Sequence, residues 1–270
     1  MTIPEGLDNE GETDCLPSGL KEECDFLSEY ATRLMGVGVH TSRVIRNTKR
    51  IGMALGLEVH ISGFHRTLIF TVNEETTGKS RSFVSDIAPL PNNFRLNSEL
   101  SKLSWQALDE HLEFDEIKKR YWMLVNQPSL NPWLVMLLTA LANLSFCALF
   151  GGDWAARLMV FADTLAGVLL KRWLTVNGTS AYISFICCSF VASMIVCGLV
   201  CIVPTDTAEV ALATSVLFLI PGVPLINGFI DIVEGHILNG FSRLTEGALL
   251  VLCIAVGLAV TISITKFTIN

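Results

Sequence analysis

The run Phe218–His236 holds the residues best suited to chemistry in this chain. It reads FLIPGVPLINGFIDIVEGH, with Pro221 and Pro224 three apart around Gly222, then Asn227, Asp231 and His236. Each proline removes a backbone donor and breaks the helical hydrogen-bond ladder. In hydrocarbon the freed carbonyls must be met by protein or by water in a cavity. Discontinuous helices of this kind form substrate and ion sites. Pro224 fits the first position of a new half-helix. The positive end of that half-helix would face an anion held in the break. Asn227 and Asp231 are four apart and share a face. Asp231 and His236 are five apart and diverge by about 140° on one regular helix, whereas His236, Gly240 and Arg243 share a side. A Pro-kinked helix followed by a cytosolic amphipathic linker is the alternative reading of the same pattern.

Asp163 is the second candidate. It lies ten residues into the apolar stretch 153–170. A carboxylate at mid-bilayer costs about 2.5–3.5 kcal/mol on insertion scales and by default faces a bundle interior or an aqueous cavity. Asp153 and Arg157, four apart, read as an interfacial ion pair. Other signals are poor. There is no GxxxxGK[ST], HExxH or GxSxG. His60 and His65 flank an expected hairpin turn, as surface residues rather than ligands. Gly36-Val37-Gly38 reads as a helix end. The sequon at Asn177 falls in an expected cytosolic loop. Six of the eight cysteines, Cys147, Cys187, Cys188, Cys197, Cys201 and Cys253, sit in apolar runs, where a thiol acts as a small hydrophobe. With Cys15 and Cys24 they are read as unpaired. No metal site and no cofactor are expected.

These residues need elements to position them, and composition says what kind. Of 270 residues, 51% are hydrophobic and 17% charged, with mean hydropathy +0.50. Ordinary soluble domains carry about 25% charged residues. Net charge is −7, which excludes the basic footprint of a non-specific nucleic-acid binder. Residues 1–128 hold 14 Lys+Arg and 19 Asp+Glu, whereas residues 129–270 hold 5 and 7. One half is built for water and the other for lipid. Apolar stretches near the required length of about 20 residues fall at 133–150, 153–170, 181–203, 208–230 and 246–267. Lys118, Lys119, Arg120, Lys171, Arg172 and Arg243 fall between spans on one side. Five crossings put them all inside, as the positive-inside rule requires. The N-terminus is then cytosolic and the C-terminus outside; Lys266 is the one basic residue on the far side.

The fold class expected is a polytopic α-helical membrane protein of five transmembrane helices with an N-terminal cytosolic α+β domain. Residues 1–18 are acidic and polar and read as a disordered tail without a signal peptide. Residues 19–128 form the cytosolic domain, and 129–270 the transmembrane domain. Within the former, 20–37 has an amphipathic helical stripe. A second helix capped by Thr41 or Ser42 runs to about Leu55 and ends at Gly56. Strands at 58–61 and 67–72 surround a turn at Ser62-Gly63, with a third at 79–87. Pro89 and Pro91 mark a loop, and 97–126 carries one or two helices.

The segment PGVPLINGFIDIVEGHILNGFSR resembles the signature of the threonine/serine exporter (ThrE-like) family. The pattern P-G-x-P-x-x-N-x-x-x-D-x-x-x-G-[DH]-x-x-x-G-x-x-R is met at Pro221, Gly222, Pro224, Asn227, Asp231, Gly235, His236, Gly240 and Arg243. GGDW at 151–154 and GVGVHTSRV…ALGL in the first half also match, so the resemblance covers about residues 25–265. Ile45 stands where the family often has an acidic residue. Full-length members have about ten spans in two halves. Five spans resemble the N-terminal half in the split (YjjP-type) form, whose other half is a second, smaller membrane protein.

The resemblance implies a subunit of a secondary-active exporter in the cytoplasmic (inner) membrane, and no enzyme. Its cargo would be a small polar metabolite, threonine or serine first and succinate as the alternative. The pathway would use Asp163, Pro221, Gly222, Pro224, Asn227, Asp231, His236 and Arg243. For an amino acid, the half-helix start would take the carboxylate, Asp231 the ammonium and Asn227 the hydroxyl. For a dicarboxylate, Arg243 and His236 gain weight. A membrane-anchored sensor or enzyme working through residues 20–126 is the remaining reading.

Overall fold

The computed structural model describes residues 18–64, 66–74, 78–128 and 130–265. The expected acidic tail, Cys15, His65 and Lys266 lie outside the described residues. The chain divides into two units, Met1–Asn126 and Gln127–Asn270.

In the first unit the order is α1 (Ser18–Gly36), α2 (Thr41–Ala54), β1 (Leu57–Phe64), β2 (Thr67–Glu74), β3 (Ser80–Asp86), α3 (Phe94–Asp109) and α4 (Phe114–Val125). The strands form one antiparallel sheet in the order β1-β2-β3. Alternation sends Leu57 and Val59 of β1, and Leu68, Phe70 and Val72 of β2, into the core. There they meet the apolar stripe of α1, including Leu27, Tyr30 and Leu34, and Ile51 of α2. Phe70 stacks on Phe83 across β2 and β3, with ring centroids 4.9 Å apart. Tyr30 donates to the Leu100 carbonyl at 2.8 Å, tying α1 to α3. Tyr121 of α4 donates to Glu29 at 2.9 Å and accepts from Arg33 at 2.8 Å, both on α1. Burial pushes both phenols well above the usual tyrosine range, and for Tyr121 the Glu29 carboxylate adds to it.

Two local expectations are corrected here. Ser62-Gly63 is not a turn: the pair continues β1 opposite Ile69 and Leu68, and the reversal follows Phe64. Pairing Val59 with Val72 buries both, and a one-residue slip would turn each strand's apolar set outward. Nor do Thr41 or Ser42 cap α2. His40 holds that position without a side-chain capping bond, and both hydroxyl residues are buried in the first turn.

The second unit holds α5 (Pro132–Leu149), α6 (Trp154–Val176), α7 (Ala181–Val200), α8 (Ala208–Thr214), a 3-10 turn at Leu217–Leu219, α9 (Gly222–Val233) and α10 (Ile237–Thr265). Among the described residues, α5, α7 and α10 are long and apolar enough to cross a membrane. The stretches Ala208–Leu219 and Gly222–Val233 make a fourth crossing if taken together, bent by 65° at the break. The expected second span falls on α6. That helix has the length but carries Arg157, Asp163, Lys171 and Arg172, and it is not among the apolar crossings. The expected linker before Glu246 is helical from Ile237 onward and continuous with the last span.

Polar and small residues knit the helices, as they must where lipid is as apolar as the side chains. Ser189 of α7 donates to the Ile254 carbonyl of α10 at 2.7 Å, and Ser193 meets Thr261 at 2.7 Å. Asp153 does not pair with Arg157. It caps α6 through the Ala156 amide at 2.7 Å and accepts from Thr205 and the Asp206 amide. Arg157 turns back to the Gly152 carbonyl and lies over Trp154. A helix N-terminus with free amides is the better partner for that carboxylate.

Candidate functional site

The break in the fourth span is made as its prolines suggest, but one turn is shifted. Ile220 is extended, as a residue before proline must be. Pro221 is the cap and Gly222 opens α9, so Pro224 occupies the third helical position rather than the first. The third residue of a helix has no intrahelical acceptor for its amide, so a proline costs nothing there. At its other end α9 closes on Gly235, whose φ of 90° suits a residue without Cβ. The His236 amide reaches the Asp231 carbonyl at 2.7 Å and the Gly235 amide the Ile232 carbonyl at 3.1 Å, the paired bonds of a Schellman ending.

That ending folds α10 back against α9. A Cβ on Gly240 would lie 2.8 Å from the Ile232 amide nitrogen, and one on Gly228 would lie 2.9 Å from the Gly240 carbonyl. The two helices therefore touch backbone to backbone. The close approach brings Arg243 to Asp231, with Nη1 3.3 Å from Oδ2. Asp231 is fully buried and the Arg243 side chain is 16% exposed. A buried ion pair inside a membrane-type helix pair is costly to desolvate, and either charge alone would cost more.

A second polar centre sits on α6. Asp163 is fully buried and accepts from Thr164 Oγ1 at 3.0 Å. Asn143 of α5 donates to Thr164 Oγ1 at 2.7 Å and to the Thr214 carbonyl, at the end of α8, at 3.2 Å. Asp163 Oδ2 and Asn143 Oδ1 are buried and find no donor among the described residues. One turn further, Gly167 leaves room for the Phe218 ring of the span break. The part of α6 around Asp163 thus packs against the Ala208–Leu219 limb of the broken span, and Asp231 lies on the Gly222–Val233 limb.

The model of the family described as "Putative threonine/serine exporter" (ThrE) matches residues 25–265. The chain belongs to the threonine/serine exporter family. Two curated relatives carry the name "Probable succinate transporter subunit YjjP". The one from Klebsiella aerogenes is 29% identical over 239 residues, covering 86% of this chain and 91% of that protein. The one from Escherichia coli K12 is 28% identical over 235 residues, covering 86% and 90%. No solved structure matches. The family's description and these names are those of transporters, not enzymes.

Of the signature residues of this exporter family, the structure joins Asp231 and Arg243, which sequence spacing placed on different faces of one helix. Pro221 and Gly222 frame the break, and Pro224 stands in the first turn of α9. Asn227 is partly buried one turn before Asp231, and His236 is partly buried at the start of α10. Asp163 is held apart from the pair, against α5 and α8. Among the described residues no three His, Cys, Asp or Glu side chains gather as a metal would need. Asn143, Thr164 and Thr214 went unread. Asn143 carried a usable signal, a lone amide in an otherwise apolar span.

Proposed function

We propose that this chain is one subunit of a secondary-active exporter of small carboxylate-bearing metabolites in the cytoplasmic membrane, working with a second membrane subunit. The observation that carries this is the buried Asp231–Arg243 ion pair beside the broken span. A guanidinium fork is matched to a carboxylate. A cargo carboxylate can take the place of Asp231 on Arg243 if Asp231 gains a proton as it lets go. With one cargo carboxylate on Arg243 the charge inside the unit is unchanged by the exchange, a second carboxyl enters protonated, and cargo binding is thereby coupled to proton uptake. Asp163, facing the same break from α6, is a second proton carrier.

The wording "succinate transporter subunit" in the relatives' names favours a dicarboxylate as cargo, and the word "subunit" favours a partner. The family description favours threonine or serine as the second reading. There Asp231 would receive the ammonium and Arg243 the carboxylate, so the pair would open onto a zwitterion. Counting α6 and the bent pair as crossings gives five spans, with the N-terminal unit cytosolic by the placement of basic residues.

The test is efflux of succinate, threonine and serine from preloaded cells carrying both subunits. Asp231→Asn should cut efflux at least tenfold and flatten its pH dependence. Full efflux with an unchanged pH profile would remove the pair from the mechanism.

A further inference from the structure

The first unit contains a cleft of its own. It lies between α2 and α3, has a volume of about 510 Å³, and is lined by Arg43, Arg46, Asn47 and Arg50 from α2 and by Phe94, Asn97, Ser98, Ser101, Lys102 and Trp105 from α3. Its lining carries four cationic side chains and no acidic one. Of these, Lys102 is bonded to Glu99 at 2.8 Å. Arg43, Arg46 and Arg50 recur at spacings of three and four, so they project from one side of α2. Arg50 lies flat over Trp105, 3.7 Å from the ring centroid, and is steadied by Asn47 Oδ1 at 2.8 Å and Ser104 Oγ at 3.2 Å.

The floor and the rim add to this. Asn47, 1% exposed, lies beneath the cleft with its oxygen held by Arg50. Phe94, Asn97 and Ser98 come from the first turns of α3, whose amide ends carry positive potential. Phe94 is 68% exposed at the rim, an apolar surface with nothing of this unit over it.

We propose that this cleft is a phosphate-binding site of the first unit, with Arg43 and Arg46 gripping the phosphate oxygens. Arginine forks match phosphate geometry in pairs, and a steadied guanidinium over an indole presents its remaining donors in a fixed plane. The phosphate belongs either to a soluble phosphorylated metabolite or to the headgroup of an anionic phospholipid.

Full-length protein in nanodiscs separates the sources. In discs of phosphatidylcholine, inorganic pyrophosphate should bind saturably by calorimetry, and Arg43→Gln with Arg46→Gln should weaken it at least tenfold. If lipid is the source, pyrophosphate does not bind. Discs containing phosphatidylglycerol then slow amide exchange across 41–54 in the wild type but not in that double variant. Both arginines are exposed, so the variant keeps its fold, checked by an unchanged melting temperature. Neither pyrophosphate binding nor phosphatidylglycerol-dependent protection, or either effect undiminished in the double variant, overturns the proposal.

Discussion

Removing one member of the Asp231–Arg243 pair leaves the other charged and buried. Arg243→Gln should therefore destabilise the second unit by about 3–5 kcal/mol. The double change Asp231→Asn with Arg243→Gln should recover most of that, because no unpaired charge remains. Thermal unfolding in detergent reads both, and a double variant as weak as the sum of its singles would deny the coupling. Asp163 behaves differently, since its neighbours in the described unit are hydroxyl and amide groups with no cation among its bonds. Asp163→Asn should leave stability within about 1 kcal/mol, because a neutral amide is easier to bury than a carboxylate. Efflux should still fall at least tenfold if the residue carries protons. Unchanged efflux would make it a structural residue only.

At the scale of elements, the α9–α10 hairpin is the part most exposed to single changes. Gly240→Ala puts a methyl where the Ile232 backbone already stands. Overpacking of this kind costs about 1–3 kcal/mol, and it should also part Asp231 from Arg243. Efflux should drop with it, while Gly198→Ala in α7, where a Cβ meets nothing within 4 Å, should be tolerated. In the first unit the tie between α1, α3 and α4 rests on two protonated phenols. Their folded pKa values are raised by burial, so this contribution is complete below the unfolded tyrosine pKa of about 10 and declines as pH rises toward the folded values. In a Tyr182→Phe background, absorbance at 295 nm should stay flat to pH 11 while the chain is folded.

The same elements explain what could be read in advance. Apolar periodicity located α1, α2 and β2, because core burial imposes it directly. The turn at Ser62-Gly63 was misplaced because turn-forming residue types also fit an edge strand when register demands it. The break at Pro221 was legible from backbone chemistry alone. The Asp231–Arg243 contact was not, since helical spacing only compares residues on one helix and Gly235 divides them between two. The arginines of α2 were not singled out, because only the facing surface of α3 turns their three-and-four spacing into a cleft.

For the whole molecule, the two units carry different chemistry. The second holds a broken crossing with a buried ion pair on one limb and a buried carboxylate facing the other. The first holds a basic cleft. A chain with so many exposed apolar side chains on α5, α9 and α10 needs an apolar surrounding such as lipid. The most direct measurement is efflux from cells loaded in parallel with succinate, threonine and serine, with this chain expressed alone, with the second membrane subunit, and with that subunit plus Asp231→Asn. The account predicts efflux of a carboxylate cargo only when both subunits are present, lost in the variant. Efflux from this chain alone, or full efflux with Asp231→Asn, would contradict it.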